Sequence, residues 1–405
     1  MKRILFVDDE ADVLDGMRRM LRSVKEGWEF EFVRNGQAAL AACQQRRFDA
    51  VVSDLRMPGM DGAELLAHIQ TRFPDTARII LAGYADVALT TRAVPAAHRA
   101  LAKTCSQKEL KETLERVCAL QDVLCNPALR KIVGAIGELP SLSRTYEQLH
   151  AAMLEPSTSI AAIARIVEQD VAMSAKVLQL VNSCFFGLAI QVTSLEHAVN
   201  YLGFNTIRTM ALYSDTFKAF LPGRCVPTNF CDKLQKHSHR VARIAGALPL
   251  ARAEKEMAVL GALLHDIGSL VLASSMSSQL CEVFTLMAEK SISQAEAEEE
   301  LLGISHAEIG AYLLGLWGIN NTIVEAIAHH HHPTRIPHER LDCASAVYLA
   351  NLLANELDKH PNDFYGDRLG DVDRQNLTVM GLYHDFMKYR NLAVEGLREE
   401  QPKRR

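Results

Sequence analysis

Five short β-rich runs, each followed by a stretch of helical spacing, fill the first 125 residues and leave few folds open to that region. ILFV (4–7), EFEFV (29–33), DAVVSD (49–54), RIILAG (78–83) and RALAK (99–103) read as strands. Residues 12–23, 36–45, 62–72, 86–93 and 106–125 carry apolar side chains at helical intervals. Strands separated by helices pair in parallel through crossovers, which places helices on both faces of the sheet. The last helix opens with Ser106-Gln107-Lys108-Glu109, a capping-box pattern, and stops at Asn126-Pro127. Its stripe of Leu110, Leu114, Val117 and Leu124, with Gln121 on the same face, fits core packing. A homodimer seam is the other reading of that stripe.

From residue 128 the texture changes. Helical patterns follow one another over 129–137, 145–154, 159–167, 171–183, 195–202, 232–247, 255–273, 279–289, 293–301, 306–316, 320–331, 339–358 and 376–399. No strand-length run interrupts them, so this part reads as all-α, with a polar break at 359–374 and a frayed charged tail at 401–405. A chain of 405 residues supports two or three domains. With 44 basic against 49 acidic side chains, a net charge of -5 gives no reason to expect nucleic-acid binding. No apolar run approaches the ~18 residues of a membrane span, and no secretion signal follows Met1-Lys2-Arg3. Nine scattered cysteines without a C-x-x-C pair then read as reduced cytoplasmic thiols.

Chemistry concentrates first at the strand ends. Asp8 and Asp9 follow the first strand, Asp54 closes the third and Lys103 the fifth, and in an open parallel sheet those ends share one crevice. Clustered carboxylates repel one another unless a cation neutralises them, and Mg²⁺ is the hard, oxygen-seeking choice. A carboxylate held beside Mg²⁺ and an ammonium is placed to accept a phosphoryl group. FVDDE, SDLRMPGMDG and a lysine about fifty residues later resemble the receiver domain of two-component response regulators over residues 1–122. That resemblance implies a flavodoxin-like fold, with Asp54 as phosphoacceptor and Asp8 and Asp9 as the acidic pocket. It also implies Lys103 as phosphate contact and the backbone carbonyl of Arg56 as a Mg²⁺ ligand. The departures are Ala82 where receivers carry Ser or Thr, Ala100 where they carry an aromatic, and Thr104 where they carry proline.

A second concentration is histidine: eight of fifteen fall between residues 237 and 332. Adjacent His-Asp on one helix with histidines on others is how a bundle builds a metal site, and imidazole with carboxylate suits a transition metal. LPSL (139–142), EQDVAMSAKVLQLVNSCFFG (168–187) and SLEHAVNYLG (194–203) resemble the front half of an HDOD domain. KHSHRVARIA, GALLHDIGSLVL, ISHAEIGAYLLGLWGI and EAIAHHHHP resemble its second half, related to HD phosphohydrolases. By resemblance to catalytic HD relatives, His237, His265, Asp266, His306, His330 and His331 fall at ligand positions. A last aspartate ligand is replaced by Asn351, a phosphate-contacting lysine by Ser269, and no G-Y-P motif follows HHHHP. His239, His329 and His332 read as ordinary core or surface histidines.

The expected organisation is a receiver over 1–122, a helical linker at 123–127, an HDOD domain over 128–335 and a helical extension at 336–405 packing on it. The expected function is phosphorelay signalling: a cognate histidine kinase as input, and output through protein or ligand contacts of the HDOD domain. Two rivals are a metal-dependent phosphodiesterase acting on a cyclic dinucleotide or other phosphoester, and a phosphorylation-independent scaffold.

Overall fold

A computed structural model of the chain describes residues 2–23, 27–82, 96–123, 127–136, 139–141, 145, 148–149, 151–152, 155, 158–182, 191–212, 217–219, 226–338, 340–359 and 369–398. The helix expected at 86–93 and the tail at 401–405 lie outside these residues, as does most of the polar break at 359–374.

The N-terminal strands are β1 (Lys2–Val7), β2 (Trp28–Val33), β3 (Ala50–Asp54), β4 (Ala77–Ala82) and β5 (Arg99–Ala102). They form one parallel sheet in the order β2-β1-β3-β4-β5. Helices α1 (Ala11–Met20), α2 (Gly36–Gln45), α3 (Gly62–Arg72) and α4 (Gln107–Val123) connect and cover it. The central β3 and β4 are buried at every residue, whereas the edge strand β2 is half-buried throughout. That difference matches the sequence, in which β3 and β4 carry the unbroken apolar stretches AVV (50–52) and IILA (79–82) whereas EFEFV (29–33) alternates charged with apolar residues.

The remaining chain carries α5 (Pro127–Ala135), α6 (Ile160–Glu168), α7 (Val171–Val181), α8 (Leu195–Leu212), α9 (Phe230–Ala247), α10 (Arg252–Leu264) and α11 (Ile267–Ser275). It continues with α12 (Ser277–Lys290), α13 (Gln294–Leu302), α14 (His306–Leu316), α15 (Asn321–Ala328), α16 (Cys343–Lys359), α17 (Asp371–Val379) and α18 (Phe386–Arg398). Helix α9 is the hub, packing on α10, α16 and α18. Two single helices expected from periodicity are each two. The 255–273 pattern breaks at His265–Asp266, and the 376–399 pattern between Val379 and Phe386, because apolar spacing runs on across both corners. The all-α expectation also misses a two-stranded parallel sheet, β6 (Leu139–Ser141) with β7 (Phe217–Ala219). Three residues are too few to show alternation.

The stretch Arg252–Ser275 does reach span-like hydropathy, contrary to the sequence expectation, but 78 % of that window is buried within the fold. The described cysteines are free thiols. The sheet and the helices meet along α4 and α14. There Arg99 Nη2 donates to Gly315 O at 3.3 Å and Arg116 Nη2 to Ile319 O at 3.1 Å. Gln179 Nε2 donates to Ala97 O at 3.2 Å, and the buried Arg78 Nη2 to Gly134 O at 2.7 Å.

Candidate functional site

Strand register assembles the first site. Val7 pairs with Ser53 and Asp54 with Leu81, so the segments after β1, β3 and β5 open at one edge. Asp8 is fully buried and Asp54 nearly so, and carboxylate oxygens of Asp8, Asp9 and Asp54 lie within 4.8 Å of one another. Lys103 Nζ stands 3.0 Å from Asp54 Oδ2 and 3.3 Å from Asp8 Oδ2. Glu10, unremarked in the sequence, adds a carboxylate 3.5 Å from the same ammonium. Burial pushes the Asp54 carboxyl upward, with Lys103 opposing it. Burial pulls the Lys103 ammonium down, but Asp54 and Asp8 outweigh it and hold that group above its ordinary range. Asp8 Oδ2 is buried and faces only the Lys103 ammonium among the described residues, an anionic oxygen of the kind a divalent cation takes. Arg56 follows on the exposed loop after β3. Ala82 and Ala100 are both buried methyl groups beside this edge.

The second site is built from helix ends. His237 lies in α9, His265 and Asp266 at the α10–α11 corner, His306 opens α14, and His330 and His331 follow α15. Ligand atoms of His306, His330 and His331 form one group within 4.8 Å, and those of His237, His265 and Asp266 another. Asp266 joins them. Its Oδ2 is 3.2 Å from His265 Nε2 and 3.9 Å from His237 Nε2, and its Oδ1 is 3.2 Å from His306 Nε2 and 3.7 Å from His330 Nε2. Gly268 makes this corner: a Cβ there would stand 1.9 Å from His306 O, so only glycine lets α11 and α14 approach this closely.

The ring nitrogens facing away from the centre are already engaged. His265 Nδ1 donates to Ala262 O and His330 Nδ1 to Ile327 O, each at 2.7 Å. Glu298 Oε2 lies 2.7 Å from His306 Nδ1. The inward Nε2 atoms of His265 and His330 are buried without a hydrogen-bond partner. Imidazole lone pairs left over at His265 and His330, whose opposite nitrogens are fixed by backbone carbonyls, fit a metal ion. Burial and the neighbouring His306 push His331 down to about 3, and burial lowers His330 strongly, so both rings stay neutral donors. Burial opposes charge on His306, yet Glu298 and Asp266 carry it up to about 10. His237 differs from the rest: its Nε2 is 2.9 Å from Asn351 Oδ1.

A cavity of about 830 Å³ opens beside both groups, where Gln294, Tyr348, Asn351 and Asp373 join the histidines in its lining. Sequence reasoning missed Glu298, which sits in the acidic run AEAEEE with nothing to mark it as the buried member. The capping box of Ser305 with Glu308 at the start of α14 is the nearest local signal. His332, read as ordinary, pairs with Glu299 at 2.8 Å on the outside of the cluster.

Family models match the description "response regulator receiver domain" over residues 4–115 and "HDOD domain" over residues 139–333. A protein of Treponema pallidum is 27 % identical over 232 residues, covering 56 % of this chain and 44 % of that one. A response regulator receiver protein of Anaeromyxobacter is 40 % identical over 90 residues, covering 22 % of this chain and 37 % of that one. The chain thus spans less than half the length of either curated relative. Among solved structures, the MmoQ response regulator of Methylococcus capsulatus is similar at 22 % identity, with 62 % of this chain and 97 % of that chain covered and a TM-score of 0.47. The receiver domain of an HD domain-containing protein of Pseudomonas fluorescens is 31 % identical, with 30 % and 89 % covered and a TM-score of 0.29.

Proposed function

The chain belongs to the response regulators that carry an HDOD domain behind a receiver domain, and on that premise we propose that Asp54 accepts a phosphoryl group and that the HDOD domain delivers the output by binding. The observation that carries this is the Lys103 ammonium 3.0 Å from Asp54 Oδ2 inside a buried acidic cluster. An Asp54 carboxylate oxygen attacks the phosphorus of the donor's phosphohistidine, and the P–O bond forms as the P–N bond breaks and the donor imidazole leaves. Lys103 holds a phosphoryl oxygen and Asp8 and Asp9 keep the pocket anionic. Asp9, Asp54 and the Arg56 carbonyl would hold Mg²⁺, with Asp8 completing the acidic pocket, and the ion would neutralise charge on the transferring oxygens. The donor is a histidine kinase, and the output passes through protein or ligand contacts of the HDOD domain, which meets the receiver along α4 and α14. A cytoplasmic location goes with this reading. Incubation with a small phosphodonor tests it: the parent protein takes up label only with Mg²⁺, and Asp54→Asn protein takes up none.

A second reading has a specific observation behind it, the orphaned Nε2 atoms of His265 and His330 beside Asp266. His306, His330, His331 and Asp266 would hold one transition metal, and His237, His265 and Asp266 a weaker one beside the neutral Asn351. Such a metal supplies Lewis-acid activation for phosphoester hydrolysis. Bound metal by mass spectrometry, together with turnover of a chromogenic phosphodiester, separates a metal-holding output module from an enzyme.

A further inference from the structure

Away from the histidine cluster, a cleft of about 1210 Å³ lies between the N-terminal end of α8, helices α9 and α10, and the end of α18. Six cations line it: Arg165, Lys236, Arg240, Arg243, Arg252 and Lys255. The lining carries only two carboxylates, Glu168 and Glu256. This is a concentrated positive surface on a chain whose net charge is -5. Some of the charge is answered locally, since Arg252 Nε pairs with Glu256 at 3.2 Å and Arg240 with Asp358. Arg243 Nη2 donates to the carbonyls of Gly396 and Leu397, which tie α18 to the wall. Lys236 and Lys255 have no carboxylate partner among the described residues.

Two helix starts add to the field. Thr193, Ser194 and Leu195 bring the α8 N-terminus to the cleft, and Arg252 brings that of α10. The cap position of α10, Ala251, offers no side-chain acceptor, so the first amides of that helix are left for another partner. Positive helix ends and free amides favour anions. Between the cations the floor is apolar, formed by Ala242, Val259, Leu260 and Leu263. An inorganic anion needs no apolar floor, and an extended acidic polymer would not need a concave pocket of this size.

We propose that this cleft binds a small phosphate-bearing ligand of nucleotide size, its phosphates held by Lys236, Lys255 and the helix starts and its base laid on the apolar floor. The site shares no lining residue with the histidine cavity. It would give the helical domain a ligand input independent of Asp54.

The test uses the full chain with excess EDTA, so that metal-dependent binding at the histidines does not contribute, and N-methylanthraniloyl-ATP as the fluorescent probe. Saturable binding is expected, with unlabelled ATP displacing the probe at lower concentration than pyrophosphate does. Loss of charge-assisted contacts in Lys236→Glu, Lys255→Glu protein should weaken binding by about tenfold or more. Both lysines are at least partly exposed, so the melting temperature should hold; the single Lys255→Glu variant, with a smaller loss, serves if the double variant melts early. Absence of saturable binding, or equal affinity in the charge-reversed variants, overturns the proposal. Equal potency of pyrophosphate and ATP overturns the assignment to a nucleotide.

Discussion

Glu298 Oε2 reaches both the backbone N–H of His306, at 2.6 Å, and Nδ1 of the same residue, at 2.7 Å. One fully buried carboxylate therefore anchors the start of α14 and turns the His306 ring so that Nε2 faces Asp266. Gln294 Nε2 holds the other carboxylate oxygen at 2.7 Å, which fixes the arrangement from outside.

The first prediction concerns that carboxylate. Glu298→Gln keeps the size but removes the charge that orients His306 and raises its basicity. On the metal-holding reading, affinity for Zn²⁺ or Mn²⁺, measured by titration calorimetry, should fall about 10- to 100-fold, the usual effect of losing such an outer partner. Glu298→Asp should recover part of it. Unchanged affinity in Glu298→Gln would mean that His306 is not among the ligands.

Gly268 offers a geometric test of the same site. A methyl group there would meet His306 O at 1.9 Å and Gly310 N at 2.8 Å, both backbone atoms that cannot step aside. Gly268→Ala must push α11 from α14, which moves Asp266 away from His306. We expect a lower melting temperature, equivalent to about 1–3 kcal/mol, and loss of metal binding together. Gly16→Ala, where the added carbon meets nothing within 4 Å, is the control and should retain both.

How far the sequence leads can be judged from these residues. The acidic pocket was legible because short strands end sharply and each end carries its own charged residue. His265 and Asp266 were legible because an aspartate inside GALLHDIGSLVL demands a partner. Glu298 was not, since burial of one glutamate among neighbours is decided by tertiary packing of α13 on α14 and not by the run itself. The close approach at Gly268 and the cation cleft were equally hidden, because each joins segments far apart in the chain. The corner at His265–Asp266 was hidden for a different reason: apolar spacing passes through it unbroken.

A pH dependence follows from the junction between the domains. His98 is buried, and its Nδ1 accepts from the backbone N–H of Arg78 at 3.2 Å. Burial, followed by the Arg78 charge, lowers its affinity for a proton well below the ordinary value of 6.5. The unfolded chain therefore binds a proton below about pH 6.5 that the folded chain refuses, so this stabilising contribution is present above that pH and lost as pH falls. The slope from one such group approaches about 1.4 kcal/mol per pH unit. Denaturant titrations between pH 7.5 and 5.5 should show a shallower decline in His98→Phe protein than in the parent. Parallel declines would show that His98 takes up its proton in the folded state.

The last prediction concerns the coupling of phosphorylation to structure. Ala82 closes β4 with a methyl group where receivers carry a hydroxyl, and Ala100 is a buried methyl in β5. A hydrogen bond from that hydroxyl to a phosphoryl group is worth roughly 1.5–3 kcal/mol. Moving an equilibrium from 1:99 to 99:1 takes about 5.5 kcal/mol, so its loss removes a large share of the driving force. The next residue along β5 toward its start, Arg99, is already bonded to Gly315 of α14, and Gln179 of α7 bonds Ala97, so the face that would move is tied to the helical domain. Beryllofluoride should therefore bind at Asp54 and change the hydrogen exchange of α4 and α14 little in the parent protein. In Ala82→Ser protein the same mimic should produce a larger change, because the new hydroxyl contacts the mimic only in the active arrangement. A full response in the parent, equal to that of the serine variant, would assign the coupling to a group other than the side chain at position 82.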